Sequence, residues 1–103
     1  MQELWKERTF DVILPGGDGE KLWVSGCFDR VQICRDGDGT VQRVLIVDYK
    51  SNQCDQENVD ELAAHYAPQL EVYRRALAEL LGITPNLIGC RLIFTAAGLV
   101  REV

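Results

Sequence analysis

The sequence predicts one α+β domain, in which a mixed β-sheet of four to five strands carries a packed helix in the order βββαβ. Three observations predict it. Extended apolar runs separated by glycine-rich turns fill the first half of the chain; a stretch with helical apolar spacing, stopped by glycine and proline, follows; extended patterning then returns near the end. At 103 residues there is room for one modest core and none for a second domain.

The elements follow in order. "RTFDVILP" (8–15) reads as a strand ended by the loop Pro15-Gly16-Gly17-Asp18-Gly19. "KLWVSGCFDRVQIC" (21–34) is a second extended run, and "RDGDG" (35–39) is a hairpin turn rich in residues that accept positive φ. "TVQRVLIVDYK" (40–50) is the third strand, which makes 21–50 a long antiparallel hairpin. The polar stretch "SNQCDQENVD" is a loop, with Asn58 and Glu61 placed as a capping box. Pro68 suits the first turn of a helix better than its interior, so the spacing predicts a short helical piece over 59–66, a kink, and a firm helix over 68–81. Gly82 and Pro85 stop that helix. "CRLIFT" (90–95) is a fourth strand, with a short fifth at 99–103. Trp5, Trp23 and Phe94 are expected in or near the core.

Composition sets limits on function. The hydrophobic fraction of 47% and charged fraction of 26% are those of a globular protein. No apolar run approaches a membrane span, and "MQELWKERTF" lacks a signal-peptide core, so a cytoplasmic location is the expectation. The net charge of −5 argues against holding nucleic acid by a broad basic surface, without excluding phosphates brought in by metal ions or a larger partner. Cys27, Cys34, Cys54 and Cys90 form no C-x-x-C pair and read as free buried thiols in a reducing compartment, with a fold-dispersed metal site as the alternative.

One stretch breaks the pattern of a buried strand: "IVDYKSN" (46–52) puts opposite charges on one face. Alternation groups Val44, Ile46, Asp48 and Lys50, with Leu45, Val47 and Tyr49 opposite. Strict alternation in the preceding strand groups Asp29 with Trp23, Ser25 and Cys27. A turn centred near residue 38 pairs 28–29 with 47–48, bringing Asp29 close to Asp48. Two aspartates without a cation repel, and a divalent ion such as Mg²⁺ or Mn²⁺ removes that conflict, while an adjacent lysine can orient water or stabilise charge on a phosphoryl oxygen. The bland alternative is a salt bridge at a strand end. On the helix, Gln69, Tyr73 and Leu77 share a face, and Gln69 stands in the apolar stripe of Leu70, Tyr73, Leu77, Leu80 and Leu81. A glutamine there either meets the end of the Asp48 strand or is satisfied by water.

The three stretches "GCFD" (26–29), "IVDYKSN" (46–52) and "YAPQLEVY" (66–73) together resemble the RecB/AddA-type nuclease domain of bacterial helicase–nucleases, within the PD-(D/E)xK superfamily. The resemblance runs over residues 22–81 and implies a restriction-endonuclease-like core whose first helix is missing from this chain. It implies Mg²⁺-dependent hydrolysis of DNA phosphodiester bonds, with Mn²⁺ as substitute, as part of an exodeoxyribonuclease V-like enzyme of recombinational DNA repair. Asp29, Asp48 and the carbonyl of Tyr49 would be metal ligands, Lys50 would position or activate the attacking water, and Gln69 and Tyr73 match the family's Q-x-x-x-Y. The implied partners are DNA, the rest of a parent helicase chain and a second helicase–nuclease subunit, with no membrane. A further family ligand, His or Glu on an upstream helix, has no counterpart beyond Glu3 and Glu7. The alternative is a non-catalytic nuclease-fold module, or an incomplete fragment of an active parent, making structural contacts in a larger complex.

The remaining residues carry bland readings. His65 is a surface residue. Arg74 and Arg75 are placed on the exposed side of the helix, facing solvent or a phosphate. Gly16, Gly17 and Gly19 form a hairpin loop and not a phosphate cradle, because no Lys-Ser/Thr follows.

Overall fold

Alternating apolar residues and glycine turns in the first fifty residues produce three antiparallel strands, and the remainder of the chain folds back over one face of the sheet they begin. In the computed structural model, which describes residues 2–103, these strands are β1 (Gln2–Pro15), β2 (Lys21–Arg35) and β3 (Val41–Lys50). A helix α1 (Val59–Leu81) and a 3-10 turn (Pro85–Leu87) lead to β4 (Ile88–Phe94) and β5 (Leu99–Glu102). The five strands lie in sequence order, antiparallel except for β3 and β4. Parallel neighbours need a long crossover, and α1 provides it. This is the mixed five-stranded α+β architecture that the patterning predicts. No helix among the described residues is long and apolar enough to cross a membrane.

Phe10, Phe28, Val31, Ile33, Ile46, Leu92 and Phe94 bury one face of the sheet beneath Leu70 and Leu77 of α1. Removing Leu77 to alanine from such a site costs about 2–5 kcal/mol. Leu80, read from spacing as inward, is 46% exposed, and Ala76 and Ala78 are buried instead. Trp5 packs at the core margin, but Trp23 is 71% exposed on the opposite side of the sheet and donates to Asp11. Its hairpin partner Ile13 is exposed on the same side, so the expected core position of Trp23 is corrected. Only Cys90 of the four free thiols is buried; Cys27 is exposed and Cys34 and Cys54 are half-buried, against the expectation of buried thiols.

Three differences from the sequence reading have clear causes. The first strand begins at Gln2 and not at residue 8, because β2 offers it a continuous ladder from Gln2↔Cys34 to Pro15↔Lys21. An edge strand held by backbone bonds needs no apolar alternation, so "QELWKER" gave no strand signal. The helix is also unbroken: Pro68 lies inside it. Pro68 and Ala64, whose carbonyl loses its partner to the proline, are both exposed, so water can satisfy that carbonyl. The capping box sits one turn earlier than Asn58–Glu61. Asp55 Oδ1 accepts from the backbone N–H groups of Glu57 and Asn58, and Asn58 Oδ1 accepts from that of Asp55 at 2.8 Å. At the other end Gly82, at φ 66°, closes the helix in the left-handed conformation that glycine adopts without penalty.

Candidate functional site

The site is a fork in the sheet. β2 and β3 pair up to Arg30↔Val47 and then part, whereas β3 stays paired to β4 as far as Lys50↔Phe94. Past the parting, Asp29 stands on one prong and Asp48 on the other. The Lys50 carbonyl accepts from the Thr95 N–H on the β4 side at 2.9 Å, so the peptide groups of Tyr49 face the fork. The Tyr49 N–H that loses its ladder partner is taken by Asp29 Oδ2 at 3.0 Å. The Tyr49 side chain points to the other face of the sheet and is 41% exposed.

The alternation expected for β2 does not hold here. Gly26 and Phe28 lie under the helix, yet so do Val31 and Ile33, so the strand changes face between Phe28 and Val31. β1 makes the same change at Glu7, which comes opposite Asp29 and has φ 48°. Asp29 therefore does not belong with Trp23, Ser25 and Cys27; it sits within the break, and its carboxylate turns into the fork.

Asp48 is the one charged residue buried among those described, at 8% exposure. Burial pushes its carboxyl up, the hydrogen bond with Asp29 adds to this, and Lys50 opposes it, leaving a pKa of about 6 against an ordinary 3.8. Lys50 Nζ lies 3.0 Å from Asp48 Oδ2 and donates to Gln69 Oε1 at 3.4 Å. A strand-end ion pair is therefore present, and it is also part of a larger group that includes a second carboxylate. Gln69 is exposed at the rim and not buried in the apolar stripe, and Lys50 is its partner.

Tyr73 lies one helical turn farther along, away from the carboxylates. Its ring meets Phe10 and Phe28 edge-on at 5.3 and 5.6 Å, and its hydroxyl stands 3.1 Å from where a side chain at Gly26 would begin. Gly26 is thus the opening into which Tyr73 fits, and the aromatic group clamps α1 onto β2 just before Asp29.

Tyr66 has no role in the sequence-based expectation. Lys50 Nζ stands 4.2 Å from the centre of its ring, and its hydroxyl donates to Asn52 Oδ1 at 3.0 Å. The signal was in the sequence: Tyr66 precedes Gln69 by three positions on the helix, and Asn52 follows Lys50 by two. His65 is exposed and touches only the edge of Tyr66. Glu3 is bound to Trp5 and Arg35, far from the fork. Among the described residues no three His, Cys, Asp or Glu side chains converge on one point. Arg74 is not a free surface cation; it pairs with Glu71 at 2.6 Å and donates to the Val103 carbonyl at 3.1 Å, tying the chain end to the helix. Arg75 is exposed and reaches the Pro15 carbonyl at 3.4 Å.

The family model of the PD-(D/E)XK nuclease superfamily matches residues 1–99. Among curated proteins no match is found.

Proposed function

Since the chain belongs to the PD-(D/E)XK nuclease superfamily, we propose that it hydrolyses DNA phosphodiester bonds with the help of Mg²⁺, for which Mn²⁺ can substitute. The observation that carries this reading is Asp48, a nearly buried carboxylate set between Asp29 and Lys50 with its pKa raised to about 6. Two carboxylates brought together in a buried fork store unbalanced negative charge, and a cation is the group that relieves it.

The donor set fits a hard divalent ion: carboxylate oxygens of Asp29 and Asp48, with the Tyr49 carbonyl on the same side of the strand. Bound there, such an ion would supply Lewis-acid polarisation of the scissile phosphate and a lowered pKa for water. Lys50 presents its ammonium beside Asp48, where it can donate to a phosphoryl oxygen or orient the attacking water. Gln69 and the face of Tyr66 hold that ammonium on the site side of its reach, which limits the geometries in which it can donate. Tyr73 and Gly26 fix the helix to β2, and so set the distance between Gln69 and the fork.

The finer reading is the nuclease domain of a longer, exodeoxyribonuclease V-like helicase–nuclease acting in recombinational DNA repair. "GCFD", "IVDYKSN" and "YAPQLEVY" support it, and the net charge of −5 suits a domain to which other parts of an assembly bring the DNA. A second reading, a nuclease-fold module that makes contacts without cutting, is favoured by the convergence of two acidic side chains and not three among the described residues. Titrating Mn²⁺ into the folded chain separates them. Binding that is lost in Asp48→Asn and kept in Lys50→Ala supports the nuclease reading; equal binding by the parent chain and Asp48→Asn refutes it.

A further inference from the structure

The sheet face turned away from α1 has a charge opposite to that of the whole chain. Register places Lys6, Arg30, Val47, Arg91 and Glu102 in one row across all five strands. Val47 lies in the middle of that row on the uncovered side, yet it is 3% exposed. Arg30 and Arg91, themselves half-buried, flank it in register, and side chains of this length cover an apolar neighbour with their stems. Arg43 stands four residues back along β3 on the same face. A chain of net charge −5 thus sets four cations and one anion on this part of its surface.

Two of these cations are not used within the fold. Among the described residues Lys6 and Arg43 have no ion pair, and Arg91 is balanced by Glu102 at 2.7 Å. Arg30 Nε is buried with no hydrogen-bond acceptor among the described residues, the kind of orphan donor that folded proteins rarely leave without a reason. Beside the row runs an open groove of about 620 Å³, lined by Arg43, Arg91, Gln32, Leu45 and Gly89. Gly89 keeps its floor low, because a side chain there would rest on Leu45. At the other margin of the row, two residues beyond Val47, is the exposed ring of Tyr49.

We propose that this face binds a single strand of nucleic acid, with phosphates over Arg30, Arg43 and Arg91 and a base stacked on Tyr49. Arg43 and Arg91 along the groove, with Arg30 in the row beside it, suit the repeating charge of a sugar–phosphate backbone, and an exposed aromatic next to them provides the stacking surface that sequence-independent strand binding uses. An acidic polypeptide would meet the same cations but has no use for an aromatic platform. The backbone of Tyr49 belongs to the fork and its side chain to the opposite face, so a strand held here is led round the sheet edge to the carboxylates. The inference takes from the nuclease reading only that DNA is a ligand.

The test is anisotropy of a labelled oligothymidylate in EDTA at low salt, which silences metal chemistry. The parent chain is expected to bind, with log K falling against log salt at a slope of about −2, the value for three contacted phosphates at roughly −0.7 each. Arg43→Glu/Arg91→Glu is expected to weaken binding at least tenfold and flatten the slope. Tyr49→Ala is expected to weaken it severalfold with the slope unchanged. Both must remain folded by circular dichroism, and the arginine reversal should bind Mn²⁺ as the parent does. Absence of oligonucleotide binding by the parent, binding unchanged by the double reversal, or equal binding of polyglutamate each overturns the inference. If the reversal variant loses the oligonucleotide and the parent fails to bind Mn²⁺, the nuclease reading fails and this one stands.

Discussion

Asp48→Asn is expected to stabilise the metal-free chain near neutral pH, although it removes a residue of the proposed site. Unfolded, Asp48 titrates near 3.8; folded, at about 6. Between those values the folded state binds more protons than the unfolded one, so stability falls as pH rises. Below pH 3.8 the carboxyl is protonated in both states and the penalty is absent; above pH 6 it is complete. At 1.36 kcal/mol for each pH unit the full penalty is roughly 3 kcal/mol. The attraction of Lys50, 3.0 Å away, is already counted in that value, since Lys50 opposes the rise. Asparagine keeps the shape and discards the charge, and Lys50 retains Gln69 and the Tyr66 ring. Urea unfolding in EDTA should therefore find the variant about 1–3 kcal/mol more stable than the parent at pH 8, and equal to it near pH 3.5. A saturating cation should reverse the order, because ligand at a hundred times its Kd adds about 2.7 kcal/mol to the chain that binds it. A parent at least as stable as the variant at pH 8 without metal would refute the argument that the fork stores unbalanced charge.

Three further outcomes follow from named contacts. Gly26→Ala puts a methyl group 3.0 Å from Phe10 and 3.1 Å from the Tyr73 hydroxyl, so Tyr73 must give way, at a cost of about 1–3 kcal/mol in urea unfolding. The same substitution should weaken Mn²⁺ binding little, since Asp29 and Asp48 keep their backbone anchors. Asp55→Ala removes the acceptor for two N–H groups at the start of α1 and should cost about 1 kcal/mol by the same measurement, whereas Glu61→Ala, at the position where spacing alone put the box, should cost far less. Tyr66→Leu frees the Lys50 ammonium; cleavage by any active assembly should fall through kcat with KM nearly unchanged, and Tyr66→Phe, which keeps the ring, should restore most of the loss.

How much could be read beforehand differs from element to element. Residues 8–50 declared themselves as strands because their apolar residues alternate and their turns are built of glycine and aspartate. The helix declared itself through Leu70 and Leu77. Pro68 misled, because whether a proline breaks a helix depends on whether the freed carbonyl meets water, and exposure is a tertiary property. Asn58 misled for a related reason: Asp55 and Asn58 have the chemistry of a capping box, but which of two overlapping boxes forms is settled by where the helix docks.

The site shows the same division. The order of Asp29, Asp48, Lys50 and Gln69 along the chain, and the hairpin that brings the first two together, were local facts and could be read from spacing. The change of face at Glu7 and Phe28–Val31 could not, because alternation assumes an unbroken pleat and the break is set jointly by two strands. The same break turns Asp29 into the fork. Tyr66 and Asn52 found their roles only when the helix end met the strand end. Sequence alone determined which chemical groups this protein owns and which neighbours along the chain would share a face. The tertiary structure decided which of them meet and which are shut away from water, because burial and charge coupling arise between elements and not within one.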